Sequence, residues 1–144
     1  WNNLPNETRN ITSYCTFKNK IQNRKPRNMY HIIGCGKPNA WLCRLRMGLS
    51  PLSSHRYKYN LIDSPKCDLC GAEDETSIHY FFDCPAHATH REIMFTSLRD
   101  EINYTIIDKA VSLKDFMEGL GEFNLNQKLH AILIVYMTNT KRFL

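Results

Sequence analysis

The 144-residue sequence lacks the features that define several common protein classes. No apolar run approaches the roughly twenty residues that a membrane-spanning helix requires. The first five residues, Trp1-Asn2-Asn3-Leu4-Pro5, contain neither the basic nor the apolar region of a secretory signal peptide. The chain also lacks an initiator methionine, which suggests a segment of a longer protein. We therefore expect an intracellular protein with no membrane contact.

Recognisable catalytic motifs are missing as well. The sequence has no adjacent pair of aspartates for a two-metal site, no G-x-x-x-x-G-K-S/T phosphate loop and no G-x-S-x-G nucleophile motif. Its six histidines form no readable arrangement with a nucleophile. We predict that this segment has no catalytic residues and no small-molecule substrate.

What the sequence does contain is a compact set of metal-ligand residues with the spacing Cys67-x2-Cys70-x8-His79-x4-Cys84. Gly71 gives the backbone the freedom for the reversal after the first thiol pair, and Thr76 can begin a short helix that carries His79. Three thiolates and one imidazole suit Zn²⁺, and four protein ligands leave no coordination position for a substrate water. The spacing predicts a CCHC zinc knuckle with one structural zinc ion.

Alternatives stay open for these residues. His87 or His90 could replace His79 as the nitrogen ligand. Glu75 lies one helical turn before His79, so it is predicted to pair with that histidine or to orient it from outside the coordination sphere. The chain could instead be a small secreted protein with disulfides. Its six cysteines are at positions 15, 35, 43, 67, 70 and 84; with zinc bound, the first three are expected to be buried apolar residues.

Charge is unevenly divided along the chain. Residues 1–66 hold twelve Lys or Arg against two acids, a net charge of +10, whereas residues 67–144 hold seven against twelve, a net charge of −5. Aromatic side chains, among them Tyr57 and Tyr59, interleave with the basic half and could stack on unpaired bases. This distribution favours nucleic acid as a partner. The expected contacts are Arg24, Lys25, Arg27, Lys37, Arg44, Arg46, Arg56 and Lys58.

Helical periodicity accounts for most of the remaining sequence. Four apolar stripes predict helices, namely Tyr14, Phe17 and Ile21; Trp41, Leu42, Leu45 and Leu49; Met94, Phe95, Leu98 and Ile102; and Leu129, Ile132, Leu133 and Tyr136. Gly48 is expected to end the second helix, and Ser112 to cap a further helix over 113–120 that Gly121 stops. Residues 104–111 are ambiguous between strand and loop, and the apolar run 131–135 is expected to be buried or docked on the parent protein.

Together these patterns predict a mostly α fold, a small helical domain held by the zinc knuckle with a C-terminal helical extension. We divide it into a basic helical segment (1–63), the knuckle (64–85) and a C-terminal helical segment (86–144), which are expected to form one compact unit.

Several stretches resemble one protein family. The run RLRMGLSPL at 44–52, IDSPKC at 62–67, CGAE at 70–73, HYFF at 79–82 and Cys84-Pro85 are similar to the C-terminal region of non-LTR (LINE-type) retrotransposon reverse transcriptases. The two ends of the chain resemble the same proteins more weakly. Leu42 departs from the pattern, because many relatives have a histidine there. Nothing after Cys84 resembles the endonuclease found at the end of some relatives.

The resemblance implies a context and a role. The parent protein would nick DNA, prime on the cut end and copy its own RNA. Within it, Cys67, Cys70, His79 and Cys84 would bind zinc, and Arg44 and Arg46 would contact template RNA or target DNA. The expected location is a nuclear and cytoplasmic ribonucleoprotein. The alternative is a structural domain that braces the parent polymerase or a partner protein.

Overall fold

The computed structural model describes residues 37–71 and 73–143, with the side chains of Lys37 and Pro38 excepted. Outside the described residues lie the first predicted helix, with Tyr14, Phe17 and Ile21, the expected nucleic-acid contacts Arg24, Lys25 and Arg27, and the cysteines at 15 and 35. Within the described part the fold is mostly helical, as predicted, and its β-type pairing is an isolated antiparallel bridge between Lys66 and Asp74.

Along the described residues, five α-helices and two short helical turns follow one another. They are α1 (Lys37–Arg46), α2 (Ser53–Lys58), a π-helical turn (His79–Asp83), a 3₁₀ turn (Pro85–His87), α3 (Ala88–Ile102), α4 (Lys109–Glu118) and α5 (Phe123–Thr140). Helices α3 and α5 form the most extensive contact, while α1 and α4 pack against α5 and against each other. None of the helices in the described residues is long and apolar enough to cross a membrane.

The core is built from the predicted stripes and from the π-helical turn. Leu98, Leu129 and Leu133 are fully buried, and Phe95 and Ile102 pack against them at the edge. Tyr80 and Phe81 of the π-helical turn are also fully buried, and they reach the centre of the helical layer. The core aromatic side chains, including Phe116 and Tyr136, meet with ring centroids 4.9–5.6 Å apart. The π-helical turn, which begins at His79 and directly precedes Cys84, is therefore continuous with the helical core.

Leu49 contradicts the predicted inward stripe of α1. Trp41, Leu42 and Leu45 are buried, but Leu49 is 51% exposed. The helix ends at Arg46, and Gly48 takes a left-handed conformation (φ +67°), with the Leu49 amide bonded back to the Arg44 carbonyl. The chain therefore turns away before Leu49 can continue the helical stripe.

The start of α4 differs from the prediction. Asp108 is its N-cap, with its carboxylate accepting a hydrogen bond from the Val111 amide, whereas Ser112 is buried inside the first turns. The helix ends at Glu118, before Gly119 rather than Gly121. An aspartate outcompetes a serine here because its carboxylate also interacts favourably with the helix dipole. Of the stretch 104–111, predicted as strand or loop, residues 104–108 are a loop, but residues 109–111 form the first turn of α4 because the Asp108 cap starts the helix there.

Candidate metal centre

The first two cysteines lie on a short hairpin. An antiparallel bridge joins Lys66 to Asp74, and the Cys67 amide donates to the Glu73 carbonyl at 2.9 Å. The Gly71 amide donates to the Cys67 carbonyl at 2.8 Å, and Gly71 has a φ of +68°, a conformation that costs glycine little. This turn brings the thiols of Cys67 and Cys70 to the same end of the hairpin.

The other two ligands come from the π-helical turn. The Thr76 hydroxyl accepts a hydrogen bond from the His79 amide at 3.1 Å and so satisfies a donor at the start of this turn. The Cys84 amide then donates to the His79 carbonyl at 2.7 Å, a five-residue closure typical of a π-turn. His79 and Cys84 are consequently presented together towards the hairpin.

The four side chains match the size of a tetrahedral site. Their ligand atoms all lie within 4.8 Å of one another. The sulfurs of Cys67 and Cys84 are 3.8 Å apart, and the Cys70 sulfur lies 3.4 Å from His79 Nε2. Tetrahedral zinc geometry calls for about 3.8 Å between two sulfurs and about 3.5 Å between a sulfur and a nitrogen. The cluster can therefore hold a metal ion with little rearrangement.

Disulfide pairing does not describe these cysteines. A disulfide requires an S–S distance of about 2.0 Å, whereas the sulfurs of Cys67 and Cys84 are 3.8 Å apart, and the described cysteines, at 43, 67, 70 and 84, are not joined in disulfides. Burial raises the pKa of the Cys84 thiol to about 11, with the neighbouring Cys67 adding to the effect. Such a thiol ionises at neutral pH only when a cation compensates the buried charge, which is what a metal ion supplies.

Glu73, not Glu75, contacts the ligand histidine. Its carboxylate lies 3.3 Å from His79 Nδ1, on the opposite side of the ring from Nε2, which faces the thiols. This carboxylate–imidazole contact orients the ring and fixes its tautomer in many metal sites. The predicted Glu75–His79 contact is wrong, because the backbone at 74–76 belongs to the hairpin and does not form the helical turn that the spacing assumed.

Glu75 instead forms a buried ion pair with Arg142. The carboxylate is 1% exposed; it accepts two hydrogen bonds from the Arg142 guanidinium and two from the amide and hydroxyl of Ser53, at 2.7 and 2.9 Å. Arg142 also donates to the Pro51 carbonyl at 3.1 Å. This contact joins the hairpin, the start of α2 and the residues after α5. The sequence does not predict this contact, because the partners are 67 positions apart and neither belongs to a local motif.

His87 and His90 are not part of the cluster. The His87 ring packs edge-on against Tyr80 and Tyr136, with centroids 5.3 and 6.4 Å away. Burial lowers its pKa, and the neighbouring His90 lowers it further, so it belongs to the core as a neutral ring. His90 lies in a groove between α3 and α5. His79 is therefore the nitrogen that the fold brings to the three sulfurs.

The predicted nucleic-acid contacts that are described lie on α1 and α2. Arg44 and Lys58 are exposed, whereas Arg46 and Arg56 are partly buried. Lys37 begins α1, although its side chain is not described. Tyr57 and Tyr59 are each 47% exposed, and the Lys58 ammonium lies 5.9 Å from the centre of the Tyr59 ring. Basic and aromatic side chains thus alternate on the surface of α2.

No family model, curated protein or solved structure matches this chain.

Proposed function

We propose that this chain is a zinc-stabilised nucleic-acid-binding module of a non-LTR retrotransposon reverse transcriptase, without catalysis of its own. It would bind template RNA or target DNA beside the parent polymerase in a ribonucleoprotein of the nucleus and cytoplasm. The observation that carries the proposal is the pairing of a closed Cys₃His cluster with basic and aromatic side chains on α1 and α2, of which α2 is hydrogen-bonded to the hairpin through Ser53 and Ser54.

The donor set supports zinc as the metal. Three thiolates and one imidazole form a soft, four-coordinate set that suits Zn²⁺, and the carboxylate of Glu73 would complete a carboxylate–histidine–metal arrangement. With all four positions filled by protein, the ion would hold the hairpin to the π-helical turn and would leave no site for a bound water to react. The role of the ion in this proposal is structural.

The proposed contact with nucleic acid depends on the charge and the exposure of side chains on α1 and α2. Arg44 and Lys58 are exposed cations, and Arg46 and Arg56 present partly exposed ones. Tyr57 and Tyr59 offer ring faces for unpaired bases. Helix α2 is fixed to the hairpin because the Ser54 hydroxyl donates to the Glu75 carbonyl at 2.8 Å. Zinc binding would thereby stabilise the surface that contacts nucleic acid.

The test is binding of the zinc-loaded protein to structured RNA, single-stranded DNA and duplex DNA across a range of salt. We expect submicromolar affinity that falls steeply with salt, because each neutralised phosphate releases counterions. The Arg44→Glu/Arg46→Glu variant should lose this binding. The matched control, Arg99→Glu/Lys128→Glu, makes the same change of charge on exposed residues of α3 and α5 and should retain most of it.

A structural role in contacting the parent polymerase or a partner protein is the second candidate. The observation in its favour is a groove of about 350 Å³ between α3 and α5, in which Ile93 and Val135 are more than half exposed. Under this candidate the Arg44→Glu/Arg46→Glu variant would behave as the wild type towards nucleic acid, and Ile93→Glu would abolish association with the polymerase domain.

A further inference from the structure

A second basic site lies beside the α1–α2 surface and shares Arg46 with it, in a cleft between α1 and α4. The cleft has a volume of about 390 Å³. Arg46 reaches it from the last turn of α1, Lys114 from the middle of α4, and Ser77 from two residues before the π-helical turn. Lys114 belongs to the acidic half of the sequence, so no charge count along the chain groups it with Arg46. The fold brings the two cations to one cleft.

The same cleft has an apolar wall. Leu45, Leu113 and Met117 line it, of which Leu45 is 4% exposed and the other two are partly buried. Its volume falls in the range of about 300–1,000 Å³ that is typical of sites for small-molecule-sized groups. A surface with cations and a hydroxyl beside apolar side chains matches a ligand that is anionic at one end and weakly polar at the other.

We infer that this cleft binds one unpaired nucleotide of a nucleic-acid strand, an inference that rests on the proposed nucleic-acid-binding function. The phosphate contacts Arg46, Lys114 and the Ser77 hydroxyl, which are the side-chain types that contact phosphate oxygens. The base packs against the aliphatic side chains of Leu113 and Met117, which remove part of one of its faces from water. A base inside a duplex has both faces covered by stacking, so the cleft selects unpaired strands.

One carboxylate opposes this phosphate site. Glu118 also lines the cleft, one helical turn after Lys114 on α4. Its charge repels a phosphate and competes for the lysine ammonium, since oppositely charged residues at this spacing interact. Substitutions at the two positions should therefore change the affinity in opposite directions, a signature that a purely structural role for α4 would not produce.

The experiment compares an unstructured single-stranded oligonucleotide with a duplex of the same sequence, using the zinc-loaded full chain. Lys114→Gln should lower the single-strand affinity about fivefold and reduce the slope of log K against log salt by about 0.7, the value for one phosphate on a single strand. Duplex affinity should change less than about twofold. Glu118→Gln should raise single-strand affinity. Lys128→Gln, an exposed lysine on α5, is the matched control and should change neither.

The outcomes separate this inference from the function on which it rests. If wild type binds no nucleic acid, both fail. If wild type binds with a steep salt dependence but Lys114→Gln behaves as Lys128→Gln does, the cleft is not a binding site and the proposed function stands. Equal losses for single strand and duplex would overturn the selection of an unpaired nucleotide. Lys114 and Glu118 are exposed, so their variants should fold, which circular dichroism would verify.

Discussion

The hairpin of residues 66–75 and the helical pair α3–α5 are stabilised in different ways. In the described part of the hairpin, Cys67 and Glu75 are the buried side chains, and one is a candidate metal ligand while the other is charged. The helical pair buries a continuous apolar seam that includes Met94, Leu98 and Leu133. The hairpin therefore depends on a few specific polar and ligand contacts, whereas the pair depends on apolar area removed from water.

This difference predicts how each region responds to substitution. Loss of one buried side chain in the hairpin removes a large share of the contacts that stabilise it, because few others remain. Loss of one side chain in the seam leaves many neighbours in place. The two regions are nevertheless joined through Tyr80 and Phe81, which follow the ligand His79 and are fully buried in the helical core.

The largest effect is expected from removal of a metal ligand. Cys84→Ser should abolish stoichiometric zinc binding, which in small zinc-finger peptides is worth about 10–16 kcal/mol. Hydrogen exchange should then show amides of residues 66–75 exchanging as in an unfolded chain, while amides in α3 and α5 keep measurable protection. Cys43→Ser removes a partly buried thiol outside the cluster and should leave both regions unchanged. Full protection of the hairpin in metal-free Cys84→Ser would contradict its dependence on the ion.

Breaking the buried ion pair should have the next largest effect. Glu75→Gln leaves the guanidinium of Arg142, 16% exposed, without its carboxylate, and removal of one partner of such a pair typically costs about 3–5 kcal/mol. Chemical denaturation of the zinc-loaded protein should show the loss. The exposed neighbour Asp74→Asn is the control and should stay within about 0.5 kcal/mol of wild type. The double variant Glu75→Gln/Arg142→Met should recover part of the loss, and a double variant as unstable as the sum of the two singles would argue against coupling.

The same pair should appear in the pH dependence of stability. Burial raises the pKa of Glu75, but hydrogen bonds from Arg142 and Ser53 and the charge of Arg142 outweigh it, so the net shift is downward. The pair therefore contributes its full stability above the unfolded-state pKa of about 4.3 and loses it as pH falls through the lower folded-state value. The metal ligands also take up protons in acid, so the measurement is the difference between wild type and Glu75→Gln. That difference should shrink as the solution becomes acidic, and a constant difference would show that Glu75 is not the titrating group.

The apolar seam should respond according to burial alone. Leu133 is fully buried, and Leu133→Ala should lower the free energy of unfolding by about 2–5 kcal/mol. Val135 on the same helix is 54% exposed, and Val135→Ala should change it by less than about 0.5 kcal/mol. Neither variant should lose zinc. Equal losses at the two positions would mean that Val135 is covered by a partner.

The hairpin and the helical pair α3–α5 also differ in how much of their structure the sequence predicts. The sequence predicts the buried faces of α3 and α5 correctly, because burial follows helical periodicity and this periodicity is a local property. The cluster of Cys67, Cys70, His79 and Cys84 was grouped correctly because the ligands are close in sequence. The sequence does not predict contacts between residues that are far apart along the chain. The pairing of Glu75 with Arg142 and the approach of Arg46 and Lys114 to one cleft depend on tertiary packing. The Glu75–His79 prediction failed because it assumed a helix where the chain forms a hairpin.

The smallest effect should come from the contact outside the coordination sphere. Glu73→Gln keeps the size of the side chain but replaces the carboxylate that faces His79 Nδ1 at 3.3 Å. Loss of such a partner typically lowers metal affinity by about 10–100-fold. Glu73 is 68% exposed and its contact is long, so we expect the lower end of that range. Competition with a chelating dye at neutral pH would measure it.

The matched control for this variant is Asp68→Asn, on the same hairpin. Its carboxylate is 72% exposed and lies 3.9 Å from Arg142, but it has no contact with a ligand histidine. Both variants remove one negative charge near the cluster, so any difference in zinc affinity between them measures the orientation of the His79 ring and not the local field. If the two variants lower the zinc affinity equally, the carboxylate of Glu73 acts only through its charge. The contact at His79 Nδ1 then makes no separate contribution to the order of the hairpin.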